Sequence, residues 1–355
     1  MAGNGYQNFR LRGIPASFES RKQVRDLARA ALKLDEDSDI AVHSLARNPL
    51  ESSSRIATLT FGHDPPKLLQ GPLDEWPFSI PEGNGDEAEK WGPRLLIFDT
   101  HFRGFTPLHR AEDSECLNDL IAISGLAGHA FGSFKARGSD FMWLRDDLPV
   151  RLRQTRILVY GYDTKVVASS SFQNLNDLGN MFRYSIKRLQ YGSSAMIKMK
   201  ASTKTEDKEF LENVIAFMFF GVPHQGMATE HLFPMVGEQP NRSLVQSLGK
   251  HSAILQRYEE EFSLAFDSKN PAEILSFYET EMSPTAKFNE EKQMWESDRT
   301  KLAILVENPS ATNGSMSQYA IARNHSEMVK FTSGMDEMDD VVLVSLLPLV
   351  ENTGS

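Results

Sequence analysis

Residues 188–202 read RLQYGSSAMIKMKAS. The stretch before them, FQNLNDLGNMFRYSIKRL (172–189), carries apolar residues at Leu175, Leu178, Met181, Phe182 and Ile186, the spacing of an amphipathic helix. Only Gln190, Tyr191, Gly192, Ser193 and Ser194 then intervene before AMIKMKA. No apolar strand pattern stands between the helix and that stretch. Whether a strand belongs at this junction decides the fold, because the flanking sequence is a series of strands alternating with helices.

Those strands are short, apolar and rich in β-branched residues: RLLIFDT (94–100), DLIAISGL (119–126), RILVYGY (156–162), VIAFMFFGVP (214–223), EILSFYE (273–279) and KLAILVE (301–307). A long helix is expected through LVQSLGKHSAILQRYEEEFSLAF (244–266). Continuous apolar strands separated by helices predict an α/β fold, a mostly parallel sheet covered by helices on both faces. DLIAISGL and VIAFMFFGVP, apolar on every face, are expected as neighbours in that sheet. Chemistry in such sheets gathers at the carboxyl ends of the strands.

The N-terminal 62 residues read differently. FRLRGIP (9–15), a helix with Val24, Leu27, Ala28, Ala31 and Leu32 on one face, IAVHSLA (40–46) and RIATLTF (55–61) follow in β-α-β-β order, half of a ferredoxin-like α+β unit. RNA-recognition modules share this topology, but Ile56 and Thr58 stand where their base-stacking rings would be. A structural or docking role fits better. Residues 62–93 are rich in Pro, Gly and acids and lack periodicity, as a linker does. The expected organisation is a small unit at 1–62, a linker at 63–93 and a larger domain at 94–355.

Composition narrows the function. A net charge of −10 over 355 residues, with no basic block, disfavours nucleic acid. One cysteine, Cys116, excludes an internal disulfide, and no Cys/His pairs stand at ligand spacing, so no metal and no cofactor are expected. MAGNGYQNFRLRG has no apolar core of a signal peptide, and VVLVSLLPLV (341–350) is well short of the ~20 residues of a spanning helix. A cytoplasmic protein of a reducing compartment is expected.

Four stretches can carry chemistry. SGLAGHAFGSF (124–134) follows a buried strand, and its small residues leave backbone N–H groups free to face an oxyanion. In FFGVPHQGM (219–227), His224 reads as either a base or a packing residue. SFYETEMSPT (276–285) ends a strand with Glu279 and Glu281, either an acid that orients an imidazole or solvated turn acids. RNHSEMVKF (323–331) places His325 either as a base or at the start of a short helix.

The order of these stretches, oxyanion turn, acid, then histidine, is the order found in α/β-hydrolases. DLIAISGLAGHAFGSFKARGSDFMWLRDDLP, RILVYGYDT, FFGVPHQGM and NHSEMVKF resemble a group of fungal lipase-like α/β-hydrolases. That group is related to the serine active site containing protein and, more distantly, to GPI inositol-deacylases. DTHFRGFTPLH and the small N-terminal unit are also similar to the fungal members, and the likeness runs from about residue 94 to 350. The resemblance implies an α/β-hydrolase fold and a serine esterase reaction on a lipid or other ester. It implies Gly125, Leu126 and Ala127 as the oxyanion turn, Glu279 as acid and His325 as base. Peripheral contact with a mitochondrial or endoplasmic reticulum membrane is implied too, as is a possible protein partner.

What the resemblance also implies, and the chain lacks, is the Gly-x-Ser-x-Gly elbow. Relatives place an apolar strand and this elbow between the helix ending near Leu189 and the helix resembling AMIKMKA. Gly192-Ser193-Ser194-Ala195-Met196 is the nearest remnant, with one of the two glycines. Ser194 is thus a poor nucleophile candidate, and an inactive, pseudohydrolase-like recognition or signalling module is the alternative to an esterase.

Overall fold

The computed structural model describes residues 7–62, 64–80, 95–109, 116–191, 210–230, 232–266, 272–332 and 336–351. Two compact units emerge, one of residues 2–163 with 184–196, the other of residues 164–183 with 197–355.

In the first unit, β1 (Asn8–Pro15) is followed by the helix Arg21–Leu32, β2 (Ile40–Asn48) and β3 (Glu51–Phe61). Ser20 starts the helix with a capping box. Its side chain accepts from the Gln23 amide, and the Gln23 side chain reaches back to the Ser20 N–H. Val24, Leu27, Ala28 and Leu32 recur along one face and are buried. The sheet then takes in β4 (Glu75–Ser79), from the stretch read as linker, and β5 (Leu95–Asp99), read as the first strand of the larger domain. The order is β2-β3-β1-β5-β4, antiparallel throughout. At Gly13, with φ of +79°, a Cβ would lie 2.1 Å from the Leu95 carbonyl oxygen, so only glycine lets β1 pass this close to β5.

The same unit holds a three-stranded mixed sheet: β6 (Gly104–Pro107), β7 (Asn118–Ile123) and β8 (Thr155–Gly161), ordered β6-β8-β7. β7 runs parallel to β8, and Arg156 grips Asp119 across the pair with two hydrogen bonds of 2.7 and 2.8 Å.

In the second unit, β9 (Ala216–Phe220), β10 (Glu273–Glu279) and β13 (Ser317–Ile321) form a parallel sheet in the order β13-β10-β9. Phe217 meets Phe262 and Phe266 of the helix Ala253–Ala265 at ring-centroid distances of 5.1 and 4.8 Å. On the other face Phe220, Phe277 and Tyr319 stack across the three strands at 4.4 and 5.1 Å. β11 (Ser283–Asn289) and β12 (Met294–Ala303) make a separate antiparallel hairpin.

The expected α/β-hydrolase fold is therefore corrected. The described residues form four small sheets, most of their strand pairs antiparallel, and no extended parallel sheet flanked by helices. The stretches DLIAISGL and VIAFMFFGVP supply β7 and β9, which lie in different sheets. Likewise the small N-terminal unit, expected as half of a ferredoxin-like fold, is part of a five-stranded sheet. The physical reason is that an all-apolar strand announces burial without naming its neighbour, and pairing between distant strands is set by the tertiary fold. KLAILVE shows the same limit. Its first residues end β12, and Leu305 and Val306 turn away to another task. The single helix expected over 244–266 is split into Arg242–Ser247 and Ala253–Ala265, with His251 between them at φ +63°. Among the described residues no helix is long and apolar enough to cross a membrane.

Buried charge governs the first unit. Arg10, 1% exposed, donates to Asp99 at 2.9 Å and to Thr106 at 2.9 Å, while Asp99 also accepts from Arg12 at 2.8 Å and from the Phe102 amide at 2.9 Å. Removing one member of such a pair strands the other without solvent. Asp99→Ala is expected to cost on the order of 3–5 kcal/mol, read as a lower urea midpoint for this unit. A drop under about 1 kcal/mol, the worth of an exposed pair, would contradict that.

His43 of β2 shares a hydrogen bond with Thr60 at 2.9 Å. Burial, and secondarily the Arg145 guanidinium, lowers its pKa from 6.5 to about 4. The unfolded chain then binds this proton more readily than the folded one between those values. Its stabilising contribution is complete above pH 6.5 and is lost as pH falls toward 4. Urea midpoints measured across this window should decline with acidity, and His43→Gln should flatten the decline.

Candidate functional site

Of the sequence-predicted site residues, Glu279 and His325 are brought together. Glu279 is the last residue of β10, and its carboxylate is fully buried. One oxygen, Oε1, accepts from the amides of Leu305 and Val306 at 2.7 and 3.1 Å. The other, Oε2, lies 3.1 Å from His325 Nδ1. That distance is within ion-pair reach, yet neither atom completes a hydrogen bond as placed, and both are shielded from solvent. The His325 side chain is 31% exposed, and its Nε2 has no protein partner among the described residues.

Three further contacts hold the imidazole. The His325 amide donates to Ser283 Oγ at 3.1 Å, at the start of β11. Gly221, immediately after β9, has φ +59°, and a Cβ there would sit 2.9 Å from both His325 Cε1 and Nδ1. Gly221 also donates to the Phe277 carbonyl at 2.8 Å, tying this turn to β10. The site is thus assembled at the carboxyl ends of β9, β10 and β13, with His325 on the loop after β13. Of the other carboxylates that could have held His325, the Glu307 side chain pairs with Lys250 at 2.7 Å.

The turn Gly125-Leu126-Ala127 belongs to the first unit, directly after β7. Gly128 donates to the Gly125 carbonyl at 3.0 Å, and Ala127 takes φ +60°, a region that glycine or asparagine occupies at less cost. The amides of Leu126 and Ala127 find no acceptor among the described residues. His129 braces the loop. Its Nε2 bonds the Thr100 carbonyl at 2.6 Å, and its Nδ1 accepts from the Phe131 and Gly132 amides at 3.2 and 2.9 Å. Accepting at Nδ1 requires the neutral ring, and burial accordingly pushes the His129 pKa down. His224 is a packing residue. It stands edge-on to Phe219 at 4.7 Å, and burial lowers its pKa. Ser194 and the junction around it lie outside the described residues.

One more cluster was not foreseen from sequence. Ligand atoms of Glu75, Asp99 and His101 lie within 4.8 Å of one another. Arg12 already holds both Glu75 and Asp99, at 2.6 and 2.8 Å, and Arg10 holds Asp99. Two guanidinium groups on the same oxygens oppose a cation, so the cluster is an ionic network rather than a metal centre.

Sequence reading missed Gly221, Ser283, Leu305 and Val306. A glycine after an apolar strand was visible, but nothing local marks which side chain it must clear. The two amides carry no side-chain signal at all.

No protein-family model matches this chain, and neither curated proteins nor solved structures give a match.

Gly221→Ala is expected to push the His325 ring off Glu279 and to destabilise the second unit by about 1–3 kcal/mol, the usual cost of a strained φ. Urea denaturation together with the NMR shift of the His325 ring checks both effects. An unmoved imidazole would show that the glycine has no steric part in the pair.

Proposed function

We propose that this chain is an esterase-like protein that keeps the acid and base of serine ester hydrolysis, Glu279 and His325, without a complete nucleophile. The observation that carries the reading is a buried carboxylate 3.1 Å from Nδ1 of an imidazole whose Nε2 is open. In ester hydrolysis a serine attacks the carbonyl, an imidazole takes the serine proton at Nε2, and a carboxylate steadies the Nδ1 side. With no Gly-x-Ser-x-Gly sequence in the chain, the base has no hydroxyl of the expected kind to activate. Acid, base and oxyanion donors only assist an attack, so turnover without the attacking atom is small.

The second reading is a recognition or signalling module that binds an ester or lipid, or a protein partner, without turning anything over; the missing elbow favours it. The single cysteine and the acidic balance support a reducing, cytoplasmic compartment and no nucleic-acid partner; peripheral membrane contact rests on the family resemblance alone.

A fluorophosphonate probe, which forms a bond only with an activated serine, should leave the chain unlabelled. Hydrolysis of a short-chain nitrophenyl ester should match the buffer blank. Labelling or turnover abolished by Ser194→Ala would overturn the proposal and make Ser194 the nucleophile.

A further inference from the structure

The hairpin β11–β12 leaves the sheet just after Glu279 and returns just before Leu305, so both its ends are at the Glu279–His325 pair. Its pairing is interrupted. Ser283 pairs with Ala303 and Pro284 with Leu302, but the next pair is Thr285 with Asp298, leaving residues 299–301 as an unpaired bulge. The bulge separates a short root, two residue pairs long, from an outer arm. Bulges of this kind commonly re-aim side chains next to functional sites.

The root is where the contacts with the pair arise. Ser283 is 2% exposed, and its Oγ accepts the His325 amide at 3.1 Å. On the opposite strand the chain leaves Ala303 and within three residues gives two amides, of Leu305 and Val306, to Glu279 Oε1 at 2.7 and 3.1 Å. One short element thus restrains both the acid and the base. The arm beyond the bulge is more open, with Phe288 44% and Met294 49% exposed.

We infer that Ser283 is the positioning residue for His325, and that the hairpin root is the frame that holds the imidazole with Nδ1 toward Glu279 and Nε2 toward solvent. The inference deepens the proposed function and rests on Glu279–His325 being the working pair of this site. Ser283 neither needs to touch a substrate nor to react. Its hydroxyl fixes the backbone from which the imidazole projects, and without that acceptor the part-buried amide of His325 is unpaired and the loop must shift to find water or another partner.

The test uses the full chain and diethylpyrocarbonate, which acylates unprotonated imidazole nitrogens independently of any serine nucleophile. In the unmodified sequence Nδ1 of His325 is shielded, so a single addition at His325 is expected in peptide mass spectra. Ser283→Ala should allow a second addition to the same ring and raise the rate of the first several-fold. Ser283→Thr, which restores a hydroxyl acceptor, should return the single-addition pattern. Phe288→Ala, in the arm beyond the bulge, should leave it unchanged. If Ser283→Ala fails to fold, Ser283→Cys keeps the volume with only a weak acceptor and should show the second addition. A single addition at unchanged rate in folded Ser283→Ala or Ser283→Cys overturns the inference. Because the probe reads imidazole exposure, serine labelling can sink the proposed function while this result stands, and the reverse.

Discussion

A carboxylate taken out of water must be given partners, and the second unit is arranged around that requirement at Glu279. Leaving such a group bare costs far more than a domain can spare from a total of ~5–15 kcal/mol. Glu279 meets the demand with two backbone amides on one oxygen and an imidazole beside the other. Each partner constrains a different part of the chain. The amides require the segment after β12 to pass over the end of β10, and the imidazole requires the loop after β13 to fold back. Gly221 must then have no side chain, because the ring occupies that space.

The chemistry follows from the same constraint. His325 Nδ1 lies 3.1 Å from the buried Glu279 carboxylate, the arrangement on which the proposed function rests. The parallel trio β9, β10 and β13 places all the contributing turns at one end of the sheet, and the stacked rings of Phe220, Phe277 and Tyr319 lie one step beneath. That aromatic layer packs directly beneath the strand ends that carry the pair. The first unit solves its own buried-charge problem differently. Arg10 and Asp99 pair within one sheet, and Arg12 ties Asp99 to Glu75. Both Asp99 oxygens are engaged there, while Arg10 Nη2 is buried without a partner among the described residues.

Much of the local structure was legible in the residues. The helix Arg21–Leu32 announces itself through Ser20, Gln23 and the apolar stripe from Val24 to Leu32. β1, β2, β3, β8, β9 and β10 fall within stretches recognisable from their branched and aromatic residues. Glu279 could be nominated because it stands at the end of an apolar run, whereas His325 was named as base by the family resemblance. β13, SQYAI, went unrecognised, since a five-residue strand with alternating polar residues resembles a loop.

What the sequence by itself determined is the set of local segments and the absence of a Gly-x-Ser-x-Gly elbow, with Glu279 and His325 as open candidates that a family resemblance paired; the local segments depend on spacing and residue type within a few positions. Only the tertiary structure decided that β7 and β9 belong to different sheets, that β4 and β5 complete the N-terminal sheet, and that Leu305, Val306, Ser283 and Gly221 build the surroundings of the pair. The reason is physical. Strand partners, amide donors and the space a glycine must vacate are relations between residues far apart in the chain, and an apolar run or a backbone N–H is chemically the same whichever partner it finally meets.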